Sequence, residues 1–176
     1  MEDAYLIPSG SGVSEFTEKR SRFIGYLWHI SSEAQAIEHI EATKAKHHDA
    51  KHNVFAYLIR KSGVMRYSDD GEPQGTAGMP VLEVLRRAKL TDACCVVTRY
   101  FGGVLLGAGG LTRAYARAAR DVIEQTGISM MQPFHELALS CPYSLFERVK
   151  RDLAAADGIV LDAQYGADIG LRMLLP

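Results

Sequence analysis

Asp69, Asp70 and Glu72 stand close together in Ser68-Asp69-Asp70-Gly71-Glu72-Pro73-Gln74-Gly75-Thr76-Ala77-Gly78, a turn rich in glycine. Carboxylates at this spacing can converge on a hard cation such as Mg²⁺ or face a basic partner, with the Thr76 hydroxyl beside them. The same residues are also ordinary turn formers: Asp-Gly makes tight turns, Asp accepts local N–H bonds, and Glu72-Pro73 favours extended backbone. The acidic positions do not follow the twelve-residue calcium loop.

A second loop follows, Arg99-Tyr100-Phe101-Gly102-Gly103-Val104-Leu105-Leu106-Gly107-Ala108-Gly109-Gly110-Leu111-Thr112-Arg113. It can capture an anion such as phosphate or carboxylate. Gly102, Gly103, Gly107, Gly109 and Gly110 let the backbone approach a ligand, free N–H groups open the following helix, and Arg99, Thr112 and Arg113 add charge and a hydroxyl. The alternative is structural, glycines serving a sharp strand-to-helix turn. No Gly-Lys-Ser/Thr closes the loop, so it is not a P-loop, and its spacing is not that of a dinucleotide fingerprint. One loop is acidic and the other basic, and two such junctions so near in sequence predict a shared surface.

Other reactive types carry weaker signals. His47, His48, Asp49 and His52 fall where a helix should end, and no second cluster completes a zinc set, so no metal is assigned. His52 reads as a hydrogen-bonded histidine before a general base. Gly-x-Ser-x-Gly is absent, leaving the catalytic residues unknown. Cys94 and Cys95 lie in an apolar run and Cys141 ends another, which favours buried thiols over a disulfide framework.

These loops need elements to hold them. A short strand near Glu15 to Lys19 and a longer one over Ser21 to Ile30 precede an amphipathic helix reaching about Lys46, with Ala34, Ile37, Ile40 and Ala45 as its apolar positions. Asn53 to Ile59 and Val64 to Tyr67 form a hairpin. Thr76 reads as the N-cap of a helix running to about Lys89, with Pro80 in its first turn. Asp92 to Tyr100 is the most apolar strand. A helix from about Gly110 to Gln125 follows, with Leu111, Ala114, Tyr115, Ala118 and Val122 toward a core and Gly127 closing it. On its outer face Arg117 and Arg120 have acidic partners four residues on, which leaves Arg113 free to bind. A boundary near residue 130 divides the chain into 1–130 and 133–176. The second part reads strand, helix, strand, strand, a ferredoxin-like βαββ module short of a second helix and strand, truncated or covered at its open edge.

The 176 residues are 47% hydrophobic and carry a formal net charge of -1, from 20 Lys plus Arg against 21 Asp plus Glu. That balance excludes a broad attraction to polyanions, so RNA contact must be local and no DNA partner is expected. The apolar runs are too short to span a membrane and the N-terminus lacks a signal-peptide pattern, so a cytoplasmic protein with no membrane partner is expected.

Four blocks together resemble the IMPACT/YigZ family: Lys19-Arg20-Ser21-Arg22-Phe23-Ile24, His52-Asn53-x-x-Ala56-Tyr57, the acidic loop from Ser68 to Gly78, and the glycine loop from Val97 to Leu111. They stand in the family's order across about residues 15 to 127. The resemblance implies an α+β protein, with a domain like the second domain of ribosomal protein S5, its sheet covered on one face by helices. A small ferredoxin-like domain similar to the last domain of elongation factor G follows. Eukaryotic members restrain a starvation-responsive initiation kinase with the help of an N-terminal RWD domain. That domain is not seen here, which points to a bacterial-type member.

The resemblance supplies no catalytic residues. It implies a non-enzymatic, translation-associated regulatory or binding factor that binds RNA, the ribosome or a translation-related protein through the two loops. A magnesium-assisted phosphate-handling enzyme is the alternative, with Mg²⁺ as its cofactor.

Overall fold

The computed structural model describes residues 4–176. Its contacts divide them into two compact units, one spanning Tyr5–Met131 and one spanning Gln132–Pro176.

The larger unit runs β1 (Tyr5–Pro8), β2 (Ser11–Glu18), β3 (Ser21–His29), α1 (Glu33–Lys46), β4 (His52–Ile59), β5 (Val64–Ser68), α2 (Gly78–Arg87), β6 (Ala93–Tyr100), α3 (Ala108–Thr126) and β7 (Ile128–Met131). Five of the strands form an antiparallel sheet in the order β2-β3-β6-β4-β5. β6 takes the centre because it is apolar at nearly every position and so can be buried on both faces, as Cys94, Cys95, Val96 and Val97 are. β2 and β3 are joined at Lys19-Arg20, whose φ values of 45° and 68° give the doubly left-handed turn that matches strand twist.

On one face Phe23, Leu27, Val54, Ala56, Cys95 and Val97 pack against α2 and α3. On the other, Ile24, Tyr26, Tyr57, Cys94 and Val96 meet α1 through Ala36 and Ile40. The helices therefore cover both faces of the sheet, not one. An all-buried β6 requires this, since an uncovered face would expose half its side chains to water. Both central thiols are sealed in, and burial pushes Cys94 up to about 12.

Two further sequence expectations need correction, and one pairing was not foreseen. α1 buries Ala36, Ile40 and Thr43, whereas Ala34, Ile37 and Ala45 are exposed. The helix is thus rotated from its expected phase, because small residues let it lie close to the sheet while Ile37 stays outside. Ala77, not Thr76, occupies the N-cap position of α2 and offers no capping side chain. The Thr76 hydroxyl instead donates to the Pro73 carbonyl at 2.6 Å. Finally, β1 and β7 pair with each other, Tyr5 opposite Met131 and Pro8 opposite Ile128. Both strands are too short to announce themselves, and their partner lies at the far end of the unit.

The smaller unit contains β8 (His135–Cys141), α4 (Tyr143–Ala155), β9 (Ile159–Tyr165) and β10 (Ile169–Leu175). Its sheet is ordered β8-β10-β9, antiparallel at both junctions. β8 and β9 are therefore parallel, with β10 between them. Cys141, Leu153, Ile169, Leu171 and Met173 form its core, while Leu137 and Leu139 on β8 remain exposed. The whole chain is α+β, and no helix of the described residues is long and apolar enough to cross a membrane.

Candidate functional site

The acidic loop turns through Asp70 and Gly71, at φ 44° and 85°, and its three carboxylates leave in different directions. Asp69 Oδ1 accepts the N–H groups of Ala77 at 3.1 Å and Gly78 at 2.8 Å, and Oδ2 accepts that of Gly75 at 2.8 Å. Asp69 therefore supplies the cap that Ala77 cannot, from eight residues upstream. Asp70 Oδ2 accepts the N–H of Asn53 at 2.6 Å and ties the loop to β4. Gly78 lets α2 start against β5, where a Cβ would lie 2.6 Å from the Ser68 carbonyl oxygen.

Glu72 turns inward. Its Oε1 accepts from Arg99 Nη1 at 2.7 Å and from the Tyr115 hydroxyl at 2.7 Å. Arg99 comes from the end of β6 and Tyr115 from the core face of α3, so this carboxylate joins the two loops to the long helix. Arg99 is 5% exposed, lies between the rings of Phe23 and Phe101, and reaches Ser21 Oγ at 3.4 Å. Its Nε is buried without a partner. Ser21 Oγ also accepts the N–H of Gly102 at 3.2 Å. Beside a buried carboxylate, the Tyr115 hydroxyl is held strongly protonated, since burial and the neighbouring charge both oppose its ionisation.

His52 stands at the edge of this pair. Its Nδ1 contacts the Asp70 carbonyl oxygen at 2.8 Å. A carbonyl only accepts, so Nδ1 bears a proton, and Nε2 is the ring nitrogen left toward Glu72. Nε2 is 3.9 Å from Glu72 Oε2. His52, Glu72 and Arg99 share the wall of a cleft of about 390 Å³ with Lys51, Phe101 and Leu105. Gly107, with φ 72°, opens α3 at the same cleft and no side chain caps that helix.

Arg113 lies elsewhere. It lines a smaller hollow of about 170 Å³ with Lys19, Gly110 and Arg117, on the other side of Leu106. It makes no ion pair among the described residues, whereas Arg117 pairs with Asp121 at 3.2 Å. A Cβ on Gly109 would sit 3.4 Å from Arg113 Nη1, so the guanidinium folds back over the helix start. Thr112 is exposed beside it, and Gly103, at φ 82°, has open space around its α-carbon. Phe101, Val104 and Leu105 are exposed, Leu105 at 81%, and Phe101 and Leu105 belong to the larger cleft.

The two loops thus meet, but around a salt bridge internal to the fold. Arg99 is neutralised by Glu72, while Arg113 remains available. Asp69, Asp70 and Glu72 do not gather on one point, and no group of three or more metal-ligating side chains occurs among the described residues. His47 lies apart from His52, buried on the α1 face between the hydroxyls of Tyr26 at 2.6 Å and Tyr100 at 2.8 Å. Sequence reasoning treated Tyr115 as core and gave Lys51 no role. The hint for Tyr115 was a hydroxyl on an otherwise aliphatic helix face, which must find a partner when buried.

The Impact N-terminal domain family matches residues 19–123, and the family described as Domain of unknown function (DUF1949) matches residues 139–176. The IMPACT family member YvyE of Bacillus subtilis (strain 168) is 36% identical over 170 residues, covering 96% of this chain and 78% of its own length. The IMPACT family member YigZ of Escherichia coli (strain K12) is 34% identical over 177 residues, covering 99% and 87%. A crystal structure of a hypothetical protein, 34% identical, superimposes over 100% of this chain and 87% of its own with a TM-score of 0.71.

Proposed function

Since the chain belongs to the IMPACT family, we propose that it is a cytoplasmic, non-enzymatic factor associated with translation that binds single-stranded RNA at the glycine loop. The observation that carries this reading is the unpaired, exposed Arg113 beside the uncapped start of α3. Lys19 lines the same hollow with Arg113, opposed there by Glu18, while Arg117 is paired with Asp121. Phosphate would sit against Arg113 and the first N–H groups of the helix, where the dipole favours an anion. Phe101 and Leu105, exposed on the adjoining ridge, offer surface on which a base can lie. Local charge of this kind suits a protein whose overall charge is -1.

Affinity for a labelled oligoribonucleotide, followed by fluorescence anisotropy across a salt series, tests the reading. Arg113→Glu should weaken binding, and the log-log salt slope should shrink by about one phosphate contact. Arg172→Glu, in the smaller unit, should change neither. Equal binding by wild type and Arg113→Glu would remove RNA from the proposal. The exposed Phe101, Val104 and Leu105 favour a second reading, a translation-related protein partner docked on that ridge. In that case Leu105→Asp abolishes capture of the partner while RNA affinity is nil in every variant.

A further inference from the structure

The geometry points to a ligand site in the His52 cleft, one that accepts a ribonucleotide-sized molecule carrying hydroxyl donors at one end and a phosphate at the other. It goes beyond the RNA reading, whose Arg113 lies on the opposite side of Leu106, and it shares with that reading the start of α3 and the exposed Phe101 and Leu105.

Glu72 is the first ground. Its side chain is 3% exposed, yet only Oε1 is used by Arg99 and Tyr115. Oε2 makes no hydrogen bond among the described residues and lines the cleft, 3.9 Å from His52 Nε2. Nδ1 of His52 donates to the Asp70 carbonyl, which leaves Nε2 as the ring nitrogen that faces Glu72. Oε2, an acceptor on a carboxylate withdrawn from water, is left open to a donor from the cleft.

Charge decides what kind of donor. Glu72 is already balanced by Arg99, and the rim adds Lys51 and the uncapped N-terminus of α3. An ammonium group would enter a site that is net positive, whereas a neutral hydroxyl would not be repelled. Adjacent ribose hydroxyls supply two such donors. The same positive rim suits a phosphate, held by Lys51 and the N–H groups that follow Gly107.

Size and polarity agree. The cleft, of about 390 Å³, falls within the range of small-molecule sites. Its remaining wall is apolar, with Phe101 and Leu105 at the mouth and Leu111 behind them, which fits the planar face of a base.

Titration of the full chain with adenosine 5′-monophosphate, adenosine and inorganic phosphate, followed by NMR, tests the site without RNA present. His52 and Lys51, which line this cleft and not the Arg113 hollow, report it whether or not Arg113 binds RNA. The monophosphate should shift both the His52 ring signals and the backbone amides of Gly107 and Ala108. Adenosine should shift His52 alone, and phosphate the amides alone. Lys51→Glu, a change at an exposed residue, should weaken the monophosphate by about tenfold, the worth of one charge-assisted contact. His52→Ala should weaken adenosine. Silence at His52 with both adenosine and its monophosphate, or an amide response to phosphate with nothing gained from the ribose and base, would overturn the assignment.

Discussion

Glu72 is withdrawn from water and answers two donors with one oxygen, so its removal leaves Arg99 buried with no opposite charge. Breaking such a pair from one side costs far more than the pair contributes as a whole. Glu72→Ala should therefore lower stability in urea unfolding by about 3 kcal/mol or more. Glu72→Gln, which keeps an acceptor for Tyr115, should cost less. His47 makes the opposite kind of prediction. Burial between Tyr26 and Tyr100, with Lys46 close by, holds its pKa below the ordinary 6.5, against a smaller opposing pull from Asp49. The unfolded chain then takes up the proton first as pH falls. Stability from this residue is complete above pH 6.5 and is lost progressively below it. Urea midpoints between neutral and acid pH should fall more steeply for wild type than for His47→Gln.

At the scale of elements, the site depends on close backbone approaches more than on side-chain contacts. Gly102 presses on the left-handed Lys19-Arg20 turn, and a Cβ there would land on the Arg20 backbone, which cannot step aside. Gly75 has open space and needs only its φ of 76°. Gly102→Ala should thus destabilise by about 3 kcal/mol through overpacking. Gly75→Ala should cost about 1–2 kcal/mol, the penalty of a left-handed alanine. Thermal unfolding of the two variants checks the order, and equal losses would show that the β2–β3 turn yields. The family blocks at Lys19 to Ile24 and Val97 to Leu111 acquire a physical connection here: one supplies the turn and Ser21, the other the glycine and arginine that fit against them.

At the scale of the molecule, the two units differ in how much they bury. The larger has two apolar layers, one on each face of its sheet, whereas the smaller has a single cluster beneath α4. Small cores hold their strands weakly. Amides of β10 should accordingly exchange with deuterium faster than those of β6, and matched protection would show that the smaller unit is stabilised by more than its own core. The sequence by itself determined the identity and order of most elements, since strand and helix periods, glycine stops and the apolar run at Cys94 to Val97 are local signals. It also marked both loops, through their glycines and charges. Helix spacing already singled out Arg113 as free, but tertiary structure alone decided that the loop carboxylates and Arg99 were not. Asp69 and Asp70 are taken by backbone amides and Arg99 by Glu72, whereas Arg113 is left in solvent. Local composition cannot distinguish these cases, because the partner of each charge is chosen by chain segments that only the folded sheet brings together. The same reason hid the β1–β7 pairing, the phase of α1 and the cleft between His52 and Glu72.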